Sequence, residues 1–196
     1  MKKGPKNGLI FVISGPSGSG KTTLAERILK EGKLKRSLVK SVSFTTRKPR
    51  SNEKEARHYF FISEAEFRSL RRARKILEWT KYLGYYYGTS RDFVEEKLKK
   101  GKHIILCLDL KGAKIIKRLY PKRTVRIFIL PPSLKTLRER IEGRCVKVRA
   151  QEIQGRLELA ARELLRSKEY DYCIVNKNLG EATERLKGIV LKEIAR

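Results

Sequence analysis

The most constraining feature of this 196-residue chain is one short run: Gly15, Pro16, Ser17, Gly18, Ser19, Gly20, Lys21 and Thr22. The run matches GxxxxGK[ST], and its flanks are as informative as its letters. Before it, residues 9–14 (LIFVIS) form an apolar stretch rich in β-branched side chains, the pattern of a strand buried on both faces. After it, residues 22–30 place Leu24, Ile28 and Leu29 at helical spacing, with Gly32 as the stop. Small residues between strand and helix let the backbone wrap tightly enough to aim N–H groups at phosphate oxygens, and the helix N-terminus adds its dipole. In such a loop Lys21 sits on the β and γ phosphates and the Thr22 hydroxyl ligates Mg²⁺; Thr23 completes the run. The flanks weigh against an ordinary glycine-rich turn, so ATP or GTP binding is expected.

The rest of the chain alternates. Residues 41–44, 103–108, 124–130 and 172–175 read as further strands, separated by helical patterns over 90–100, 110–119, 133–141, 152–165 and 181–194. Ser90 and Ser133 are candidate caps. This rhythm predicts an α/β fold with a parallel sheet flanked by helices, and the length fits one domain. Residues 45–87 break the rhythm, with short strands at 59–62 and 76–79 around a helix that Ser63 and Glu66 open as a capping box. They read as an insertion. Residues 143–150 (GRCVKVRA) read as a basic, hairpin-like cover.

Charge is the unusual quantity. Lys and Arg number 48 against 21 acids, giving +27 and a sequence pI near 10.3. Such a chain attracts polyanions, whether nucleotides, nucleic acid or acidic lipid. Hydrophobic residues at 40% exclude wholesale disorder. Cys107, Cys145 and Cys173 lack CxxC or metal-ligand spacing, which predicts neither a disulfide framework nor a zinc site, and a reducing cytosol by default. The apolar run at 9–14 is too short for a signal-peptide core or a membrane span, so a soluble, cytoplasmic protein is expected.

Three further spots can carry chemistry. Arg47 and Arg50 flank Pro49; two guanidinium forks at that separation suit a phosphate monoester, although a solvated basic loop gives the same letters. Glu78 lies between Leu77 and Trp79 in a strand pattern and is expected to point away from both, as a pocket residue would. Asp109 ends the 103–108 strand, where doubly wound sheets place ligand-binding groups; it reads as an Mg²⁺-organising carboxylate or as a helix cap. Tyr85 to Tyr87 read as a hydrophobic cluster with hydroxyls at its rim, and Trp79 as core.

Taken in order, GPSGSGKT, SVSFTTRKPR, HYFF, LEWTKYLGYYYGTS, LDLKGAK, FILPPS, the Arg140–Arg144 pair and YDYCIVN resemble guanylate kinase, the ATP:GMP phosphotransferase, from residue 9 to about 189. The resemblance implies a P-loop core (8–44, 90–142 and 151–196), a GMP-binding insertion (45–89) and a lid (143–150). By similarity, Arg47, Arg50, Tyr59 and Tyr87 hold the GMP phosphate, while Ser43, Glu78, Thr89 and Asp109 hold guanine. Guanine presents N1–H and its 2-amino group as adjacent donors, which one carboxylate accepts together, and adenine offers no such pair. Lys21, Arg47, Arg140, Arg144 and Arg156 become the catalytic cations around the transferring phosphoryl group, with Mg²⁺ bound beside ATP.

Some positions depart from that family's pattern. Cys107 replaces a usual acidic residue and Lys111 a usual Gln. The lid lacks its acidic stretch, the spacing to Arg156 is one residue longer, and His58 stands where Asp is common. A guanylate-kinase-like binding module without catalysis is one competing reading, disfavoured by the intact Lys21 and Thr22. A P-loop kinase for another phosphorylated acceptor is disfavoured by the guanine-matching set. A nucleic-acid-binding protein, suggested by the charge, lacks a recognised module. Nonspecific RNA association remains an expectation from the basic surface, with a monomer or homodimer as the assembly.

Overall fold

The computed structural model describes residues 8–49, 53–82, 84–143 and 150–196. Its first half runs β1 (Ile10–Ser14), α1 (Lys21–Ile28), β2 (Leu38–Lys40), β3 (Ser43–Thr45), β4 (Tyr59–Phe61), α2 (Glu64–Arg72), β5 (Ile76–Tyr82) and β6 (Tyr85–Ser90). The second runs α3 (Arg91–Lys99), β7 (His103–Cys107), α4 (Leu110–Leu119), β8 (Thr124–Leu130), α5 (Leu134–Glu142), α6 (Ala150–Leu165), β9 (Tyr172–Val175) and α7 (Leu179–Ala195).

All five residues of β1 are buried because the strand is central and covered on both faces. The larger sheet has the order β2-β7-β1-β8-β9, and its paired neighbours run parallel. Alternate side chains of one strand feed opposite layers. Phe11 and Ile13 join Leu24 and Ile28 of α1 and Leu186 and Val190 of α7. Ile10 and Val12 join Val94 and Leu98 of α3 and Ile116 of α4. This two-sided burial is why the strand reads as an unbroken apolar run.

Local signals mark the helix starts. Ser63, Ser90, Ser133 and Asn178 accept from backbone N–H groups of α2, α3, α5 and α7 at 2.8–3.3 Å. The expected strand at 41–44 is corrected: β2 ends at Lys40 in the larger sheet, and β3 begins at Ser43 in a second sheet of order β4-β3-β6-β5. Between them the Ser41 N–H still donates to Ile105 O at 3.0 Å, so the chain changes sheets within two residues. Tyr86 and Tyr87 do join an aromatic cluster, and the run 85–87 also opens β6, a strand the sequence did not lead one to expect, which pairs antiparallel with both β3 and β5. The β5–β6 turn passes through Gly84 in a left-handed conformation, φ +86°, a geometry that favours glycine. Trp79 is not core. It is half-buried, with the Arg71 guanidinium 4.8 Å and the Lys111 ammonium 5.4 Å from its ring centre.

The second sheet is anchored by Phe67 of α2, 1% exposed, which stacks on Tyr86 with centroids 5.2 Å apart. Gly88 leaves room for it: a Cβ there would lie 2.8 Å from Ile76 Cγ2 and 3.0 Å from Phe67 Cζ. Removing this ring empties a site that cannot collapse against a rigid ladder. Phe67→Ala should therefore lower unfolding free energy by about 3–5 kcal/mol in urea denaturation; a loss below about 1 kcal/mol would remove Phe67 as the anchor.

Candidate active site

The loop after β1 is shaped by exclusion. Gly15 has φ +142°, and a Cβ there would lie 2.3 Å from Ile129 O of β8. Gly20 has φ +96°, and its Cβ would meet Asn176 Nδ2 at 2.2 Å. Gly18 packs under Leu137 and Ile141 of α5, which would lie 3.2 and 3.3 Å from a side chain there. Pro16 and Ser19 are buried, Ser17 is exposed, and the Ser19 N–H donates to Pro16 O at 3.1 Å. Lys21 folds back, donating to Gly15 O at 2.6 Å and Pro16 O at 2.9 Å. No acid stands in the first turn of α1, so the N-terminal end keeps its positive field. Thr22 is exposed on that turn and Thr23 half-buried.

Asn176, to which the sequence attached no role, is the brace of this loop. Its Nδ2 donates to Ser19 O at 2.8 Å. Arg140 donates to Asn176 O at 3.1 Å, which ties α5 to the same corner. Arg156 is half-buried on α6, the helix packed on α5 through Ile153, Leu157 and Ala160. Arg144 and the lid segment around it lie outside the described residues, as does Arg50.

Arg47, just past β3, gathers one cluster. Its Nε donates to the Tyr87 hydroxyl at 3.2 Å and its terminal nitrogens to Lys48 O at 2.7 Å and Glu53 Oε1 at 2.9 Å. Its guanidinium also lies 5.6 Å from the Tyr59 ring centre, and Tyr59 meets Tyr87 edge-on at 5.9 Å. Burial works against the Arg47 cation, but the hydrogen bonds to Glu53 and Tyr87 outweigh it and hold the pKa above its usual value. Burial foremost, then the field of Tyr87, pushes the Tyr59 hydroxyl up to about 12, so it stays a neutral donor. Sequence reasoning missed Glu53; the signal was the first acid after Arg47, six residues on in a basic stretch. His58 accepts from the Lys54 N–H at 2.8 Å and holds a turn.

The second cluster is a buried carboxylate. Glu78 is 4% exposed and accepts from the Thr89 hydroxyl at 2.5 Å. Ser43 is paired with Thr89 across the β3–β6 ladder and with Tyr59 across β3–β4, which brings both clusters onto one sheet. At the start of α4, Asp109 Oδ1 accepts from the Gly112 N–H at 2.7 Å, so of its two readings the structure displays the helix cap. Gly112 is where α4 meets Glu78: a Cβ there would lie 2.7 Å from Glu78 Oε2 and 3.3 Å from Asp109 Oδ1. Burial pushes the Glu78 pKa up to about 7; the Thr89 hydrogen bond opposes this, the Asp109 charge adds to it and Lys111 opposes it.

Two more groups bear on the loop end of the sheet, of which Glu163 escaped the sequence reading. Glu163 of α6 is pushed up to about 7 by burial, with Lys21 opposing and Asp109 adding, so α6 turns a carboxylate toward the end of the sheet that carries the loop. The Cys107 thiol is also pushed up by burial, against the fields of Lys40 and Lys21. The departure at 107 therefore leaves a neutral group near the loop lysine.

A parallel sheet that turns from its central strand into such a loop defines the P-loop class of nucleotide-binding α/β proteins. The sequence model of guanylate kinase matches residues 8–193. The guanylate kinases of Wolbachia pipientis wMel and Thermotoga maritima are 40% and 42% identical to this chain, over 95% and 96% of it and 90% and 89% of their own lengths. The crystal structure of guanylate kinase from Anaplasma phagocytophilum superposes with a TM-score of 0.80 at 32% identity, covering 98% of this chain and 89% of that one. The chain belongs to the guanylate kinase family and is thereby an enzyme of the kinase type, a phosphotransferase.

The buried Glu78 has a measurable consequence. A carboxyl whose folded pKa is raised gives the fold stability that is full below the unfolded value of 4.5 and lost as pH rises through about 7. Above that pH the ionised, buried carboxylate is destabilising. Glu78→Gln should therefore stabilise the empty protein by roughly 2–3 kcal/mol at pH 8 and far less at pH 4.5, read from urea denaturation at both values. Equal effects at the two pH values would contradict the assigned titration.

Proposed function

We propose that this chain transfers the γ-phosphoryl group of ATP to GMP, with dGMP as a second acceptor, giving ADP and GDP or dGDP. The observation that carries this reading is the buried Glu78 carboxylate on the sheet that also bears Arg47, Tyr59 and Tyr87. In its ionised form Glu78 accepts guanine N1–H and the 2-amino group together, while Ser43 supplies a hydroxyl for O6 and the Thr89 hydroxyl turns from Glu78 to O6 as the base binds. An adenine in the same place leaves the buried carboxylate unsatisfied, which is the strong form of discrimination. Asp109 shapes the pocket from the α4 cap.

Arg47 and Arg50, with the Tyr59 and Tyr87 hydroxyls, hold the acceptor phosphate. Arg47 is held by Glu53 in the empty protein, so an incoming phosphate exchanges one anionic partner for another. The acceptor oxygen is already anionic at neutral pH and needs no general base. It forms a bond to the γ-phosphorus as the bond to the β–γ bridging oxygen breaks, and that oxygen leaves as part of ADP. Lys21 swings from Gly15 O and Pro16 O to the β and γ phosphates, and Arg140, Arg144 and Arg156 offset charge on the transferring group. The four-stranded sheet with α2 serves as the acceptor-binding part (45–89), and 143–150 as the lid that excludes water.

Mg²⁺ fits the donor set. Thr22 offers an exposed hydroxyl on the first turn of α1, and among the described residues no group of three or more His, Cys, Asp or Glu is placed to hold a metal by itself. A cation that takes most of its ligands from phosphates and water suits one protein hydroxyl. When bound, it neutralises charge on the β and γ phosphates. Among the described residues no helix is long and apolar enough to cross a membrane; a cytoplasmic site of action accords with the nucleotide substrates.

A coupled assay of ADP release with ATP and Mg²⁺ against GMP, dGMP, AMP, CMP and UMP tests the reading. Activity should be confined to the guanine acceptors, and Lys21→Ala should lose at least about a thousandfold in kcat while retaining its far-UV spectrum. AMP turnover comparable to GMP, or wild-type rates in Lys21→Ala, would refute it.

A further inference from the structure

Three elements converge on Glu78, and one of them carries a cation. The β5–β6 register shifts between Ile76 and Trp79, and irregularities of this kind re-aim side chains next to functional sites. As a result α4 meets two consecutive residues of β5: Gly112 packs against the Glu78 carboxylate, and Lys111 lies over the Trp79 ring with Nζ 5.4 Å from its centre. Lys111 is an exposed residue, yet its Nζ lies over the ring of the residue next to Glu78. Arg71 of α2 takes up the same indole at 4.8 Å.

We infer that Lys111 is a positioning residue for guanine recognition: packed on Trp79 at the mouth of the pocket, it helps keep Glu78 in the carboxylate form that the base requires. The inference rests on the proposed guanine site and deepens it. Glu78 faces the Asp109 carboxylate and the Lys111 ammonium from α4 and the Thr89 hydroxyl from β6. Burial and Asp109 both favour a protonated Glu78. A protonated Glu78 sets its O–H against one of the two guanine donors and loses the paired recognition. Against burial and Asp109 stand the Thr89 hydrogen bond, the larger influence, and the field of Lys111, the cation that adds to it. A neutral residue there lacks that field.

Lys111→Met keeps an apolar stem against Trp79 and removes the charge; Lys111→Arg keeps the charge. Steady-state kinetics from pH 6 to 9 should show Lys111→Met raising the GMP KM about twofold near pH 7, with the gap closing by pH 9. The ATP KM should stay unchanged, and Lys111→Arg should behave as wild type. Trp79 is the chain's one tryptophan, so its fluorescence in the empty protein reports the adjacent titration without any turnover. The midpoint of that transition should move to higher pH in Lys111→Met. An unchanged GMP KM, a rise by the same factor at every pH, or an unmoved fluorescence midpoint would each overturn the inference. A wild-type protein inactive on GMP would instead remove the guanine-site reading on which it rests.

Discussion

Lack of room at the end of β1 is the constraint around which the rest of the molecule is arranged. The strand is paired on both edges and covered on both faces, so the chain leaves it through a turn whose most crowded positions carry no side chain. Ile129 O stands where a Gly15 Cβ would be, and the Asn176 amide where a Gly20 Cβ would be. That crowding converts a flexible glycine run into one defined loop: neighbouring β8, β9 and α5 remove the alternatives glycine would otherwise sample. Helix α1 then begins at a fixed place with its N-terminal end open. Phosphate binding needs a preorganised backbone, and here the preorganisation comes from the close approach of the neighbours.

The second organising fact is the placement of the few acids in a chain of +27. Glu53 pairs with Arg47, Asp109 caps α4, Glu78 is sealed under β6 and α4, and Glu163 is turned toward the loop end. A surface carboxylate in water is screened and worth little, whereas a buried one has a large desolvation cost that only a matching ligand or cation offsets. At the proposed guanine site the buried carboxylate is therefore held in an unfavourable electrostatic state that the base relieves, so the proposed selectivity and the lost stability share one physical origin.

Much of this was legible along the chain because the signals are local. The β1–loop–α1 unit, the limits of β8, β9 and α4, and the serine caps of α2, α3 and α5 follow from periodicity and side-chain chemistry within a few residues. The change of sheet at 41–42 was not, since β2 and β3 differ in partner and not in composition. The strand that opens at Tyr85 to Tyr87 was missed for a related reason: a strand in the middle of a small sheet is defined by β3 and β5 on either side. Trp79 was misassigned because hydrophobicity alone does not reveal that two cations flank the ring.

The linear sequence by itself determined which chemistry is present: a phosphate loop with its lysine and threonine, arginine forks, and a carboxylate set in a strand, each recognisable because its neighbours in the chain complete the pattern. Only the tertiary structure decided how those groups act. Asn176 braces a loop 157 positions away, Glu53 occupies Arg47, and Lys111 and Asp109 come to Glu78 from another helix. Backbone propensities and caps are short-range energies, written in consecutive residues. Steric exclusion, desolvation and Coulomb fields depend on distance in space, and they come into being only when β1, β5 and α4 have packed together.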